Sequence, residues 1–98
     1  MNEIILHRRA KKGLRGLSNI EMRKARLAIA RLGEIEWQDL LKDRNFHQLR
    51  VRKGEELYSY RSSLRIRLII SRSGENIILI EDIASHDALQ RYFNWSKE

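Results

Sequence analysis

Ninety-eight residues carry a formal charge of +7 and a pI near 10.2, with no cysteine and no proline. A chain of this length builds one core without staples, and the missing cysteines exclude disulfides and thiolate metal sites. No apolar run approaches a membrane span, and the charges of MNEIILHRRAKK follow its short apolar run instead of preceding it, unlike a signal peptide. The expectation is one domain over residues 1–98, cytoplasmic and free of membrane. Its surplus of positive charge favours an anionic partner, against the plainer alternative of a generic basic surface.

Taken in chain order, Glu3 to Leu6 reads as a short strand. In RRAKKGLRGL, Ala10, Leu14 and Leu17 fall at helical spacing, with Gly13 weakening the helix and Gly16 helping to end it. Ser18-Asn19-Ile20-Glu21 has the form of a capping box and predicts a second helix, whose apolar stripe is Met22, Ala25, Ile29 and Leu32, with Gly33 as its stop. The two helices form a hairpin whose outer face carries Arg8, Lys12, Arg15, Arg23 and Lys24. One or two helical turns are expected within Glu34 to Arg44, around Ile35, Trp37, Leu40 and Leu41.

From Phe46 the period changes to two, with His47, Leu49 and Val51 alternating with Gln48, Arg50 and Arg52. Leu57 to Ser62 and Leu64 to Ser71 are the next two strands, and Arg72 to Asn76 closes a hairpin. Ile77 to Ile83 is nearly all apolar, which suits a central strand buried on both faces. Ser85 N-caps a short helix containing Ala88, Leu89, Tyr92 and Phe93. The fold class is therefore α+β: N-terminal strand, helical hairpin, antiparallel meander and short C-terminal helix. The first strand pairs with the edge of the meander. Helices cover one face of the sheet and leave the other curved and basic.

Arg61 and Arg67 lie on strands that pair as a hairpin, so both guanidiniums can enter one concavity. The planar fork of arginine suits a phosphate there, and a solvated sheet face is the plain alternative. Ile66, Leu68 and Ile70 already claim the buried face, which turns Arg67 to the other. Arg65 shares its parity but sits nearer the turn, as a positioning or surface charge. His86, just past the last strand, is either a general acid or base, the role histidine most often fills, or a local hydrogen-bonding group at a helix start. Tyr58 and Tyr60 share a strand face where core packing is the commoner role. Arg50, Arg52 and Lys53 add charge at a hairpin end, either for a partner or to block strand addition. No two histidines have metal-ligand spacing, so no metal or other cofactor is expected.

Nearly the whole chain resembles the RelE/ParE superfamily of toxins from type II toxin–antitoxin systems, with the RelE/HigB-like branch favoured. The resemblance rests on the basic hairpin RRAKKGLRGLSNIEMRKARLAIARL, on FHQLRV, and above all on YSYRSSLRIRLIIS followed by NIILIEDIASHD. It implies a small cytoplasmic toxin, monomeric when active and held in a hetero-oligomer by a cognate antitoxin when neutralised. It further implies a metal-independent, ribosome-dependent endoribonuclease that cuts mRNA and blocks translation. On that resemblance Arg61 and Arg67 clamp phosphate, His86 is the acid or base, and Tyr92 stacks a base or passes a proton. Arg50, Arg52, Lys53, Arg65, Lys11, Lys12 and Arg15 then dock on ribosomal RNA. The chain departs from the pattern at Gln90, where relatives often have tyrosine, and in lacking strand lysines near Leu57 to Tyr60. The rival expectations are a ParE-like inhibitor of DNA gyrase and an inactive antitoxin-binding member.

Overall fold

A computed structural model describes residues 1–49 and 56–92, the last three by backbone alone. Its elements are β1 (Glu3–Leu6), α1 (Arg8–Arg15), α2 (Asn19–Glu34), α3 (Trp37–Leu40), β2 (Phe46–Leu49), β3 (Leu57–Arg61), β4 (Ile66–Gly74), β5 (Ile77–Ser85) and α4 (His86–Tyr92). The five strands form one mixed sheet in the order β1-β5-β4-β3-β2. β5 ends the meander, and β1 joins it in parallel with Glu3 opposite Ile77. That pairing makes β5 interior to the sheet, as its apolar sequence predicts. Its two faces nonetheless differ. Ile78, Ile80 and Ile83 are buried, whereas Ile77, Leu79 and Ala84 are half-buried.

Local chemistry accounts for the ends of the helices. The Ser18 side chain accepts the Glu21 N–H at 3.2 Å and caps α2. The helix runs one residue past Gly33, and its orphan carbonyls find a partner that the sequence does not advertise. The Asn2 side-chain amide donates to the Leu32 carbonyl at 2.9 Å and to the Ile35 carbonyl at 2.8 Å. This also ties β1 to the end of α2. His7 caps α1, its Nδ1 accepting the Arg9 N–H at 3.0 Å. Ser85 caps α4 by accepting the Ala88 N–H at 3.1 Å.

The main core lies between the sheet and α1, α2 and α3. Leu32, Leu40, Leu68, Ile70, Ile78 and Ile80 are fully buried there, each contributing about 1.5–3 kcal/mol of transfer free energy. Trp37 meets Tyr58 edge-on with ring centroids 5.1 Å apart, and Phe46 stacks on Tyr58 at the same distance. Tyr58 and Tyr60 are thus core residues. Arg72 closes the end of this cluster, its guanidinium carbon 4.7 Å from the Trp37 ring centroid.

Gly13 gives α1 more than a weak position: a Cβ there would stand 2.7 Å from the Ile83 carbonyl oxygen, so its missing side chain lets α1 lie close on β5. Three expectations need correction. α4 does not join the other helices. Leu89 packs with Leu49, Leu57 and Ile69 on the opposite face, so that face is partly covered. The expected alternation fails in β2, where Phe46 and Leu49 are buried and His47 and Gln48 are exposed. On this edge strand only β3 pairs with His47, through Ser59. Leu64 belongs to the turn before β4 and is 76% exposed. Arg50, Arg52, Lys53 and Phe93 lie outside the described residues, as does the side chain of Tyr92.

Candidate functional site

Strand register decides which side chains meet on the α4 side of the sheet. Tyr60 pairs with Leu68 and Arg61 with Arg67, so the tyrosine enters the main core and the two arginines stand side by side on the other face. Arg67 has Ala84 as its opposite neighbour on β5, a small residue that leaves room beside the guanidinium. His86 follows Ala84 by two residues, and its backbone N–H donates to the Arg65 carbonyl at 2.8 Å. The histidine is exposed at the first position of α4. Arg61, Arg67 and His86 therefore occupy three adjacent elements at one end of the sheet.

The two arginines are not equivalent. Arg61 is exposed, and among the described residues its side chain has no ion pair or hydrogen bond. Arg67 is half-buried, and its Nη1 donates to the Ser63 and Leu64 carbonyls at 3.1 and 3.2 Å. It ties down the turn between β3 and β4 while leaving its remaining N–H groups available. Burial, and then the charge of Arg61, lower the pKa of this guanidinium from its ordinary value. It stays protonated at neutral pH nonetheless. Two unneutralised like charges on a partly dry surface favour an anion between them.

Arg65 does not join this pair. It reaches back to the start of α2, where its Nη2 lies 3.0 Å and its Nε 3.2 Å from Glu21 Oε2. The Glu21 carboxylate that a capping box would turn to its own helix end is used here to fix the β3–β4 turn against α2. Lys11, Lys12 and Arg15 are exposed on α1, on the helical side of the sheet. The core separates them from Arg61 and Arg67, so the basic residues form two surfaces.

Sequence reasoning missed Arg31. At the end of β3, an open cleft of about 340 Å³ lies between the sheet and α2, and Lys24, Arg31, Asp43, Tyr60 and Arg61 line it. Lys24 and Arg31 are seven residues apart on α2 and so share a helical face, the one signal that groups them. Burial, and then Asp43, raise the pKa of the Tyr60 phenol, while Arg31 acts in the lowering direction.

Comparison by sequence finds no match, either to a family model or to a curated protein. Comparison of structures does. The chain is similar to the RelE of an archaeal RelE–RelB complex from Pyrococcus horikoshii, with TM-score 0.62, 20% identity, and 86% of this chain and 93% of that one covered. It is similar also to YafQ from E. coli, with TM-score 0.58, 14% identity, and 91% and 98% covered. A metal-bound toxin from Helicobacter pylori matches with TM-score 0.55, 14% identity, and 91% and 99% covered.

Proposed function

We propose that this chain, which has the fold of RelE-like toxins, is the toxin of a toxin–antitoxin pair and cuts mRNA on the ribosome. The observation that carries the reading is the Arg61–Arg67 pair on the sheet face, with His86 beside it. An RNA phosphodiester placed against the pair meets two planar donors, which stabilise the charge that builds on the phosphorane oxygens. The ribose 2′-hydroxyl attacks the adjacent phosphorus, its proton passing to a base. The bond from phosphorus to the 5′-oxygen breaks in line, and that oxygen takes a proton from an acid. The products are a 2′,3′-cyclic phosphate and a free 5′-hydroxyl. The guanidiniums supply the positive charge, so no step requires a metal.

His86 is the acid or base in this scheme, exposed at the mouth of the site. Tyr92 lies 6 residues further along α4 and assists by stacking a base or passing a proton. Arg65 positions the turn that carries Arg67 instead of touching RNA. Lys11, Lys12 and Arg15 then dock on ribosomal RNA from the helical side, with Arg50, Arg52 and Lys53 adding charge to that contact. An antitoxin segment covers the arginine face in the neutralised complex. The archaeal RelE solved together with RelB supports such a partner. Among the described residues no helix is long and apolar enough to cross a membrane, and the working compartment of the proposed toxin is the cytoplasm.

The test is primer extension on an mRNA incubated with the purified chain, with and without programmed ribosomes. Cuts that need ribosomes and vanish in His86→Ala support the nuclease. Growth arrest retained by His86→Ala together with inhibited supercoiling assigns the chain to gyrase inhibition instead. No toxicity on expression leaves an antitoxin-binding fold without activity.

A further inference from the structure

Arg61 belongs to two places at once. Across the sheet it pairs with Arg67, and at the strand end it lines the cleft beneath α2 with Lys24, Arg31, Asp43 and Tyr60. Three cations there face one carboxylate. An Asp43 oxygen already accepts the Asn45 N–H at 2.9 Å. Lys24, Arg31 and Arg61 form no ion pair with the described residues, so the cleft keeps its positive charge.

Tyr60 is the second observation. It is only 3% exposed, with its ring in the core, yet it lines the cleft. Its phenol feels both Asp43 and Arg31, which line the same cleft, so the hydroxyl is the part of the side chain that reaches it. Arg31 also hydrogen-bonds to this phenol, so the oxygen accepts and its own O–H remains to donate. A buried phenol whose oxygen accepts from Arg31 keeps its proton to donate to an anion in the cleft.

We propose that this cleft is a second phosphate subsite, holding a backbone phosphate of the single-stranded RNA whose neighbouring linkage lies at Arg61 and Arg67. The strand passes over the end of β3, with Arg61 between the two phosphates. Lys24 and Arg31 flank the second one, and the Tyr60 hydroxyl donates to it from below. The cleft reads charge and spacing without reading base identity, because the groups that line it are phosphate donors and Tyr60, being buried, offers no ring face for stacking. The proposal rests on the RNA reading above but needs neither ribosome nor cleavage.

The experiment is equilibrium binding of uncleavable 2′-O-methyl RNA to the full-length chain without ribosomes, comparing a dinucleotide with a tetranucleotide over a range of salt. The tetranucleotide should bind the wild type more tightly. The double variant Lys24→Gln, Arg31→Gln should lose that advantage while holding the dinucleotide unchanged, and its salt slope on the tetranucleotide should fall by about 0.7, one phosphate contact on a single strand. Tyr60→Phe, which keeps the ring in the core, should weaken only the tetranucleotide, about fivefold, as loss of one hydrogen bond does. Equal binding of both oligonucleotides by the wild type overturns the subsite, and so does an unchanged salt slope in the double variant. A glutamate-rich peptide that needs Lys24 and Arg31 while RNA length has no effect would replace RNA with a protein partner. A chain that binds as proposed but never cuts mRNA separates failure of the nuclease reading from failure of the subsite.

Discussion

On the side of the sheet covered by α1, α2 and α3, the inward positions of β3 to β5 are aromatic or aliphatic. They are Tyr58 and Tyr60, then Ile66, Leu68 and Ile70, then Ile78, Ile80 and Ile83. On the side that α4 crosses, the same strands present Ser59, Arg61 and Arg67, and the apolar patch is confined to Leu49, Leu57, Ile69 and Leu89. The first face is bought with helices, three of them, and has no free charge at its centre. The second keeps two adjacent guanidiniums, Arg61 exposed and Arg67 half-buried, whose mutual repulsion costs stability and is offset only by the hydrogen bonds of Arg67 to the β3–β4 turn. A basic surface held against its own repulsion, next to a core that does not need it, is where binding is expected.

Truncating the covered face should have the largest effect on folding. Leu68→Ala removes a side chain with no exposure and should cost about 2–5 kcal/mol in urea unfolding. A loss under about 1 kcal/mol would mean that the helical side is not the centre of stability. Gly13→Ala sharpens the same point. Helix propensity alone predicts a gain of about 1 kcal/mol, but the methyl group would press on the Ile83 carbonyl. The net result should be a loss of up to about 2 kcal/mol, since overpacking costs about 1–3 kcal/mol. A stabilised variant would show that α1 does not lie as close to β5 as described. Ser18→Ala, which removes the cap on α2, should cost about 1 kcal/mol, read from the denaturation midpoint.

The smallest effect concerns pH. The folded-state pKa values of Tyr58 and Tyr60 both lie above the ordinary 10.0. Folding therefore favours the neutral phenol, and this contribution is fully present below the unfolded value and is lost as pH rises through the folded one. Stability should decline above about pH 10, and Tyr60→Phe should decline less steeply in the same titration. Parallel curves for the two proteins would place the Tyr60 phenol in ordinary solvent.

How much of this was legible in the sequence follows from the range of each interaction. The alternation in YSYRSSLRIRLII sets parity within each strand, and parity alone brings Arg61 and Arg67 to one face once the hairpin forms. Caps at Ser18 and Ser85 are equally local and equally readable. The position of α4 was not, because Leu89 in so short a helix signals an apolar side without saying which sheet face will receive it. The Arg65–Glu21 pair joins residues 44 apart, and sequence parity placed Arg65 with Arg67 instead. Arg31 escaped notice for a similar reason: its partners in the cleft come from β3 and from the segment before β2. Gly13 read only as a weakening residue in its helix because the strand it accommodates lies about 70 residues away along the chain.

The most direct test of the account measures stability and ribosome-dependent mRNA cleavage on the same Arg61→Ala protein. Arg61 is exposed and repels Arg67, so its removal should leave the unfolding free energy within about 0.5 kcal/mol of wild type. Cleavage should fall by about 10²–10³-fold, as loss of a donor to transition-state charge does. Cleavage retained at full stability would contradict the account, because the chemistry would then not depend on the arginine face.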